Sequence, residues 1–267
     1  MENVIEVCDV NKYFGEEHVL KNVSHTFEKG KIHGIVGNNG SGKTVLMKCI
    51  CGFLKPDSGV IYVNHKQVGK ETDFPEDIGI IIETPGFLPH LSGTQNLKIL
   101  ASLQKKANAL TIRAVLEQVG LDPDMKKPVG KYSLGMRQRL GFAQALMEDP
   151  SLLILDEPSA ALTDIEVEGL FAIMQKLIGE GKSIIFISHK MREVLHISDR
   201  ITVLRLGEVV GTVARADTDG RDVERFGDLF CKLGGNAFQN DCEGSGFLHG
   251  AGVVEERFRC GFRPSSL

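Results

Sequence analysis

Apolar residues in the first quarter of the chain follow the short periods of β-strands and of one helix. Strand-like runs span residues 4–10, 19–27, 31–36 and 60–63, with turn-forming residues around them. Residues 45–53 instead place Val, Leu, Cys, Ile and Phe side chains at helical spacing. The pattern predicts strands joined by turns as far as about residue 30, followed by a strand, a loop, a helix and a further strand.

The remainder of the chain alternates short apolar runs with amphipathic segments. Residues 77–83 (DIGIIIE) are nearly all apolar, which predicts a strand buried on both faces of a sheet. Residues 93 to about 150 carry three helical segments that interrupt this alternation. The other predicted elements are buried strands at 152–155 and 183–187, an amphipathic helix at 164–178 and a hairpin at 201–213. This order predicts an α/β fold with an inserted helical lobe.

Composition narrows the class of protein. The chain has 267 residues and a formal net charge of -4, so bulk attraction to nucleic acid is not indicated. No apolar run approaches the ~20 residues that cross a bilayer, and residues 1–10 lack a basic leader with an apolar block. We therefore expect a cytosolic protein unless a partner holds it at a membrane. The six cysteines are expected to remain reduced.

Residues 37–44 (GNNGSGKT) fit G-x-x-x-x-G-K-[ST], the phosphate-binding P-loop, between a predicted strand and a predicted helix. Its glycines let the backbone turn several N–H groups toward one point, and the helix adds its positive end. Lys43 can contact the outer phosphates, and the Thr44 hydroxyl can bind Mg²⁺. An accidental match occurs roughly once in a hundred chains of this length. The predicted nucleotide-binding residues are Gly37, Asn38, Asn39, Gly40, Ser41, Gly42, Lys43 and Thr44.

Polar side chains follow three of the buried strands. Asp156 and Glu157 end one strand, His189 follows the next along the chain, and Glu83 ends an earlier one. Ligands in open α/β sheets bind at this edge, where one carboxylate can face Mg²⁺ and its neighbour can poise a water. Taken alone, Glu83 reads as a solvated strand end, and a lone His is more often structural.

An aromatic pair lies upstream of the P-loop. Tyr13 or Phe14 could lay a ring face on a nucleotide base. From the residues alone, packing within a small sheet is the favoured interpretation for both.

A third motif joins the P-loop and the carboxylates. Residues 132–140 (YSLGMRQRL) resemble the cassette signature, usually LSGGQ followed by basic residues. With Leu152 to Glu157 as Walker B, the chain resembles the nucleotide-binding subunit of an ATP-binding cassette (ABC) transporter over about residues 4–230. His189 then matches the family's switch histidine, and Phe14 matches its adenine-stacking aromatic.

The resemblance implies a fold and a division of the chain. The fold is a P-loop NTPase of the ABC type, with an N-terminal antiparallel β subdomain and a helical subdomain inserted at about 86–150. The ATP-binding domain would span residues 1–232. Residues 233–267 match nothing in the family and lack a helical or strand period, so a poorly ordered tail is expected.

The resemblance also implies a mechanism with ATP and Mg²⁺. Two ATP-binding subunits, as a homodimer or heterodimer, would pair head to tail. They would act with a separate transmembrane permease on the cytoplasmic face of the membrane, and nucleic acid would not be a partner. ATP on one P-loop would meet Ser133 and Gly135 of the other subunit. Glu157, His189 and Lys43 would be catalytic. Thr44, Asp156 and Glu83 would bind the metal.

Three residues depart from the family pattern. Glu83 replaces the usual Gln, Met136 replaces the signature Gln, and Thr163 replaces the Asp of a Leu-Asp pair that normally helps link the two sites. The Glu83 variant, in IIIETPGF, resembles bacterial exporters of the bacitracin-resistance and lantibiotic-immunity type, which favours export of a peptide antibiotic or drug. The alternative is a non-transport ABC ATPase acting in translation or DNA repair.

Overall fold

The computed structural model describes residues 2–82, 86–104, 107–160 and 162–215, which fall into two compact units. Within these residues, one unit comprises 2–27, 36–75 and 201–215, and the other comprises 28–35 and 76–200. The strands are β1 (Asn3–Phe14), β2 (Glu17–Glu28), β3 (Ile32–Val36), β4 (Ser58–Val63), β5 (Lys66–Gln67), β6 (Ile78–Ile81), β7 (Leu152–Asp156), β8 (Ser183–Ile187), β9 (Arg200–Arg205) and β10 (Glu208–Ala214). The helices are α1 (Lys43–Ile50), α2 (Gly93–Gln104), α3 (Ala109–Gln118), α4 (Leu134–Leu146), α5 (Asp164–Gly179) and α6 (Met191–Ile197).

The first unit contains an antiparallel sheet in the order β2-β1-β4-β5. Strands β1 and β4 pair with Ile5 opposite Val63. The β9–β10 hairpin turns through Leu206 and Gly207, both at positive φ (47° and 85°). Two central residues at positive φ are what a type I′ turn requires, and its twist matches that of the flanking strands. The predicted hairpin is therefore confirmed.

The second unit contains parallel strands in the order β3-β8-β7-β6. Strands β7 and β8 each have neighbours on both sides, and residues 152–155 and 184–187 are fully buried. Their continuous apolar sequence follows from that position. Strand β6 pairs with β7, and Ile78 and Ile80, which share one face of β6, are partly exposed. The expectation that this strand is buried on both faces was wrong.

The predicted helical insertion is present between β6 and β7. It consists of α2, α3, a 3₁₀ turn at Val129–Lys131, and α4. Gly79 of β6 lies so close to α4 that an added Cβ would sit 2.3 Å from the carbonyl oxygen of Ala145. The α/β P-loop architecture with an antiparallel β subdomain and a helical insertion is confirmed.

Several features differ from the sequence-based expectations or went unpredicted. The short elements β5 and α6 were not predicted. Cys8 is disulfide-bonded, which corrects the expectation of reduced cysteines, whereas Cys49 and Cys51 are free and buried. In the described part of the chain, no helix is both long and apolar enough to span a membrane. The boundary at residue 232 and the tail at 233–267 lie outside the described residues.

Candidate functional site

The P-loop is a tight turn whose shape depends on glycine. Residues 37–42 connect β3 to α1, and Gly42 precedes the helix at φ 98°, in the left-handed region. An L side chain is strained there. Gly37 is required for a different reason, because a Cβ on it would sit 2.1 Å from the carbonyl oxygen of Leu204 and 2.6 Å from Ser41 Oγ. The loop is therefore packed directly on β9.

The β9–β10 turn also holds the loop through backbone hydrogen bonds. The Gly207 N–H donates to the carbonyl oxygen of Ser41 at 3.1 Å. The Lys21 N–H in turn donates to the Gly207 carbonyl at 2.8 Å. The hairpin that follows α6 thus fixes the P-loop from outside the motif. No motif in the sequence indicated this contact.

The polar groups of the loop suit a phosphate ligand. The buried Lys43 ammonium donates to the carbonyl oxygens of Gly37 (2.7 Å) and Asn38 (3.1 Å). Ser41 Oγ is buried and makes no hydrogen bond to any described residue. Thr44, in the first turn of α1, is partly exposed and supplies a hydroxyl. The loop thus offers donors at a helix N-terminus, the arrangement that binds phosphate.

The two aromatic residues upstream of the P-loop, Tyr13 and Phe14, have different surroundings. The Tyr13 ring stacks on His18 with centroids 4.0 Å apart. Phe14, the last residue of β1, remains 48% exposed, with the Lys12 ammonium 5.5 Å from its ring centroid. Phe14 therefore has a free surface, and its predicted stacking on a base stays a prediction.

The Walker B carboxylates lie at the end of β7, in the second unit. Asp156 ends the strand opposite Ile187 of β8. Glu157 adopts φ 49°, and its N–H donates to the Ile187 carbonyl oxygen at 2.9 Å. A non-glycine residue at positive φ is uncommon, and such residues cluster at functional sites. The backbone thus turns Glu157 away from the strand direction.

Glu157 and His189 meet at this edge. Glu157 Oε1 lies 3.1 Å from His189 Nδ1, with the side chains 35% and 47% exposed. The sequence placed both residues at one sheet edge, and the structure brings them into contact. A carboxylate oriented by an imidazole, open to solvent, can accept a proton from a bound water.

The signature residues form the start of α4. Ser133 is its N-cap, and Ser133 Oγ accepts a hydrogen bond from the Met136 N–H at 3.2 Å. A Cβ on Gly135 would sit 2.4 Å from Glu166 Oε1 of α5, so a larger residue there would displace the Glu166 carboxylate. Arg139 Nη2 lies 3.4 Å from that same oxygen. Glu166 therefore packs against the signature helix, a contact that the motif did not indicate.

Thr163 has a structural role at the start of α5. Its hydroxyl accepts from the Glu166 N–H (3.4 Å), while Glu166 Oε2 accepts from the Thr163 N–H (3.1 Å). This is a capping box. The Thr163 N–H bond is the main reason that the pKa of Glu166 is lowered. The T-x-x-E spacing was the available signal for this contact.

The predicted metal ligands are only partly placed. Glu83 lies outside the described residues. Thr44 and Asp156 belong to different units, and each offers an oxygen, the ligand type that Mg²⁺ prefers. Among the residues that the structure describes, no group of three or more His, Cys, Asp or Glu side chains forms a metal cluster. Mg²⁺ binding by these residues stays a prediction.

Comparison with known proteins adds independent information. The family model described as "ABC transporter" matches residues 20–160. The ABC transporter ATP-binding protein YdbJ of Bacillus subtilis is 38% identical over 82% of this chain and 71% of its own length. The bacitracin transport ATP-binding protein BcrA of Enterococcus faecalis is 40% identical over 80% of this chain and 70% of its own. The ribose import ATP-binding protein RbsA of Bacillus licheniformis is 37% identical over 82% of this chain but only 46% of its own.

Solved structures share the fold. CbiO1 from Clostridium perfringens, part of the ABC transporter complex CbiONQ, superposes with a TM-score of 0.74 at 25% identity, covering 86% of this chain and 96% of that one. A dimeric bacterial ABC transporter cassette gives a TM-score of 0.71 at 24% identity, covering 79% and 98%.

Proposed function

We propose that this chain, which belongs to the ABC transporter ATP-binding family and is an ATPase, energises the export of a peptide antibiotic or drug. The observation that carries the proposal is the 40% identity to a bacitracin transport ATP-binding protein over 80% of the chain. The run Ile80 to Phe87, with Glu83 in place of Gln, supports it, because that variant resembles bacterial exporters.

The P-loop residues bind and orient the ATP phosphates in this proposal. Lys43 exchanges its bonds to Gly37 and Asn38 for contacts with phosphate oxygens. The unbonded Ser41 hydroxyl and the N–H groups at the start of α1 add further donors. Phe14 stacks on the adenine through its exposed face.

The second unit supplies the hydrolytic groups. Glu157 orients the attacking water and accepts its proton, and His189 holds that carboxylate and contacts the γ-phosphate. Thr44 and Asp156 are the residues that would hold Mg²⁺, which would neutralise charge on the phosphates. The positive φ of Glu157 fixes its side-chain direction before substrate arrives.

Two ATP-binding subunits and a separate membrane permease complete the proposed transporter. Ser133 is exposed at the start of α4, so ATP held by another subunit can reach the N–H groups there. The shared fold with a dimeric cassette is consistent with pairing. The low net charge gives no reason to expect nucleic acid as the partner.

Sugar import is a second candidate, favoured by the 37% identity to ribose import proteins. This chain spans about half of their length, so one copy corresponds to part of such a protein. The two candidates differ in cargo and direction, whereas the ATPase chemistry is the same.

Export is tested by expressing the chain together with a candidate membrane permease in a bacitracin-sensitive strain. We expect the inhibitory concentration of bacitracin or of a lantibiotic to rise, and the Glu157→Gln variant to give no protection. Unchanged sensitivity to both classes, together with ribose uptake that depends on the chain, would replace export with import.

A further inference from the structure

A polar cluster lies beside the loops that follow β7 and β8. Its centre is Glu193 of α6, whose side chain is only 12% exposed. Glu193 Oε2 accepts hydrogen bonds from the hydroxyls of Ser159 and, at 3.3 Å, Ser188. Both serines are 1% exposed. The carboxylate therefore receives one bond from each of two chain segments.

Those two segments are the ones that carry the pair. Ser159 lies two residues beyond Glu157, in the loop after β7, and Ser188 immediately precedes His189, in the loop after β8. A single carboxylate thus joins the two loops at the point where each leaves the sheet. The direct backbone link is the Glu157 N–H bond to Ile187, so Glu193 adds a side-chain link beyond the end of the strands.

Lys190 completes the cluster. Its ammonium lies 2.9 Å from Glu193 Oε1 and donates to the carbonyl oxygen of Ser159 at 3.4 Å. Both oxygens of Glu193 are therefore occupied by donors, and the charge has a partner. A buried carboxylate with all its bonds made is rigid, whereas loss of the charge leaves donors unsatisfied.

We propose that Glu193 is a positioning residue for ATP hydrolysis, which holds the loops after β7 and β8 together and so sets the Glu157–His189 contact. The proposal rests on the catalytic roles proposed above for those two residues. Within the described part of the chain, the Glu193 carboxylate bonds to Ser159, Ser188 and Lys190 and makes no hydrogen bond or ion pair with the side chain of Glu157 or His189. Its effect should appear in turnover, with little change in ATP affinity, because its contacts lie on the loops that carry the hydrolytic pair.

The first test compares two neutralising substitutions in the full chain. Glu193→Gln should lower kcat for ATP hydrolysis by roughly ten- to a hundredfold, as expected for a small displacement of reacting groups, with KM within about twofold. Glu168→Gln, on the exposed face of α5, makes the same chemical change and should leave both constants unaltered. Ser188→Ala should give a smaller loss of kcat. If Glu193→Gln fails to fold, the kcat of Ser188→Ala tests the proposal in its place.

The second test is a double-mutant cycle. If Glu193 acts through the pair, Glu193→Gln should cost less than about threefold further in a His189→Ala background. An equal loss in both backgrounds indicates a general structural role and overturns the proposal. Loss of turnover in Glu157→Gln without any loss in Glu193→Gln and Ser188→Ala overturns the positioning role alone. Full turnover in both Glu157→Gln and His189→Ala overturns the catalytic assignment and the positioning role together.

Discussion

Gly37→Ala offers a steric test of how the P-loop is held. The added Cβ would lie 2.1 Å from the Leu204 carbonyl oxygen and 2.6 Å from Ser41 Oγ. Gly37 does not occupy the left-handed region, so backbone strain does not contribute. The nearer obstacle is backbone in a strand, which cannot turn aside as a flexible side chain can. The loop, the hairpin or both must therefore move.

The magnitude follows from overpacking, which typically costs about 1–3 kcal/mol. If the loop shifts to relieve the contact, its phosphate-binding groups are displaced, and the same free energy corresponds to roughly a 5- to 150-fold weaker Kd for ATP. If the loop stays in place, the cost appears as lower stability. The steric contact therefore predicts that the loss of unfolding free energy and the loss of ATP-binding free energy add up to about 1–3 kcal/mol.

The assay is urea unfolding combined with calorimetric ATP titration. The matched control is Gly211→Ala in β10, where an added Cβ meets nothing within 4 Å and φ is ordinary. We expect the control to stay within about 0.5 kcal/mol of the parent. Equal stability and equal ATP affinity for the Gly37→Ala and Gly211→Ala variants would refute the inferred packing of the loop on β9.

Three further predictions concern the surrounding fold. Burial lowers the pKa of His33 from 6.5 to about 4, so the unfolded state binds more protons than the folded state between these pH values. The free energy of unfolding should therefore fall by about 3 kcal/mol as the pH drops from 6.5 to 4. Urea unfolding should show a flatter pH dependence for His33→Gln. Burial raises the pKa of the Cys49 and Cys51 thiols to about 11 and about 12. Iodoacetamide at pH 8 should therefore label them only after unfolding, as detected by peptide mass spectrometry. Rapid labelling of the native protein would contradict this prediction. Thr163→Val should lose about 1 kcal/mol of unfolding free energy through the lost cap, whereas Thr163→Asp should retain it; equal losses would argue against the capping role.

The sequence predicted best what depends on local pattern. Strands β7 and β8 were predicted because burial on both faces demands continuous apolar residues. The P-loop was predicted because its chemistry fixes residue types at fixed spacing. The short helix α6 was missed, since seven residues with Val194 and Ile197 buried give too little periodicity. Strand β5 has two residues and gives none.

The contacts of the candidate site were less predictable than its residues. Glu157 and His189 were expected at one sheet edge, but their 3.1 Å contact depends on the positive φ of Glu157, which no residue type signals. The contacts of Glu166 with Arg139 and of Glu193 with Ser159 were missed because each joins residues that are distant in sequence. The disulfide at Cys8 was missed because the cysteines of an expected cytosolic protein were predicted to stay reduced.

We propose that Glu157 activates the water that hydrolyses ATP bound by the P-loop. The deciding measurement is phosphate release by the full chain, alongside ATP binding, for the parent and for Glu157→Gln. We expect the variant to bind ATP with parental affinity and to release phosphate at least about a hundredfold more slowly. Phosphate release at the parental rate from the ATP-loaded variant would contradict it.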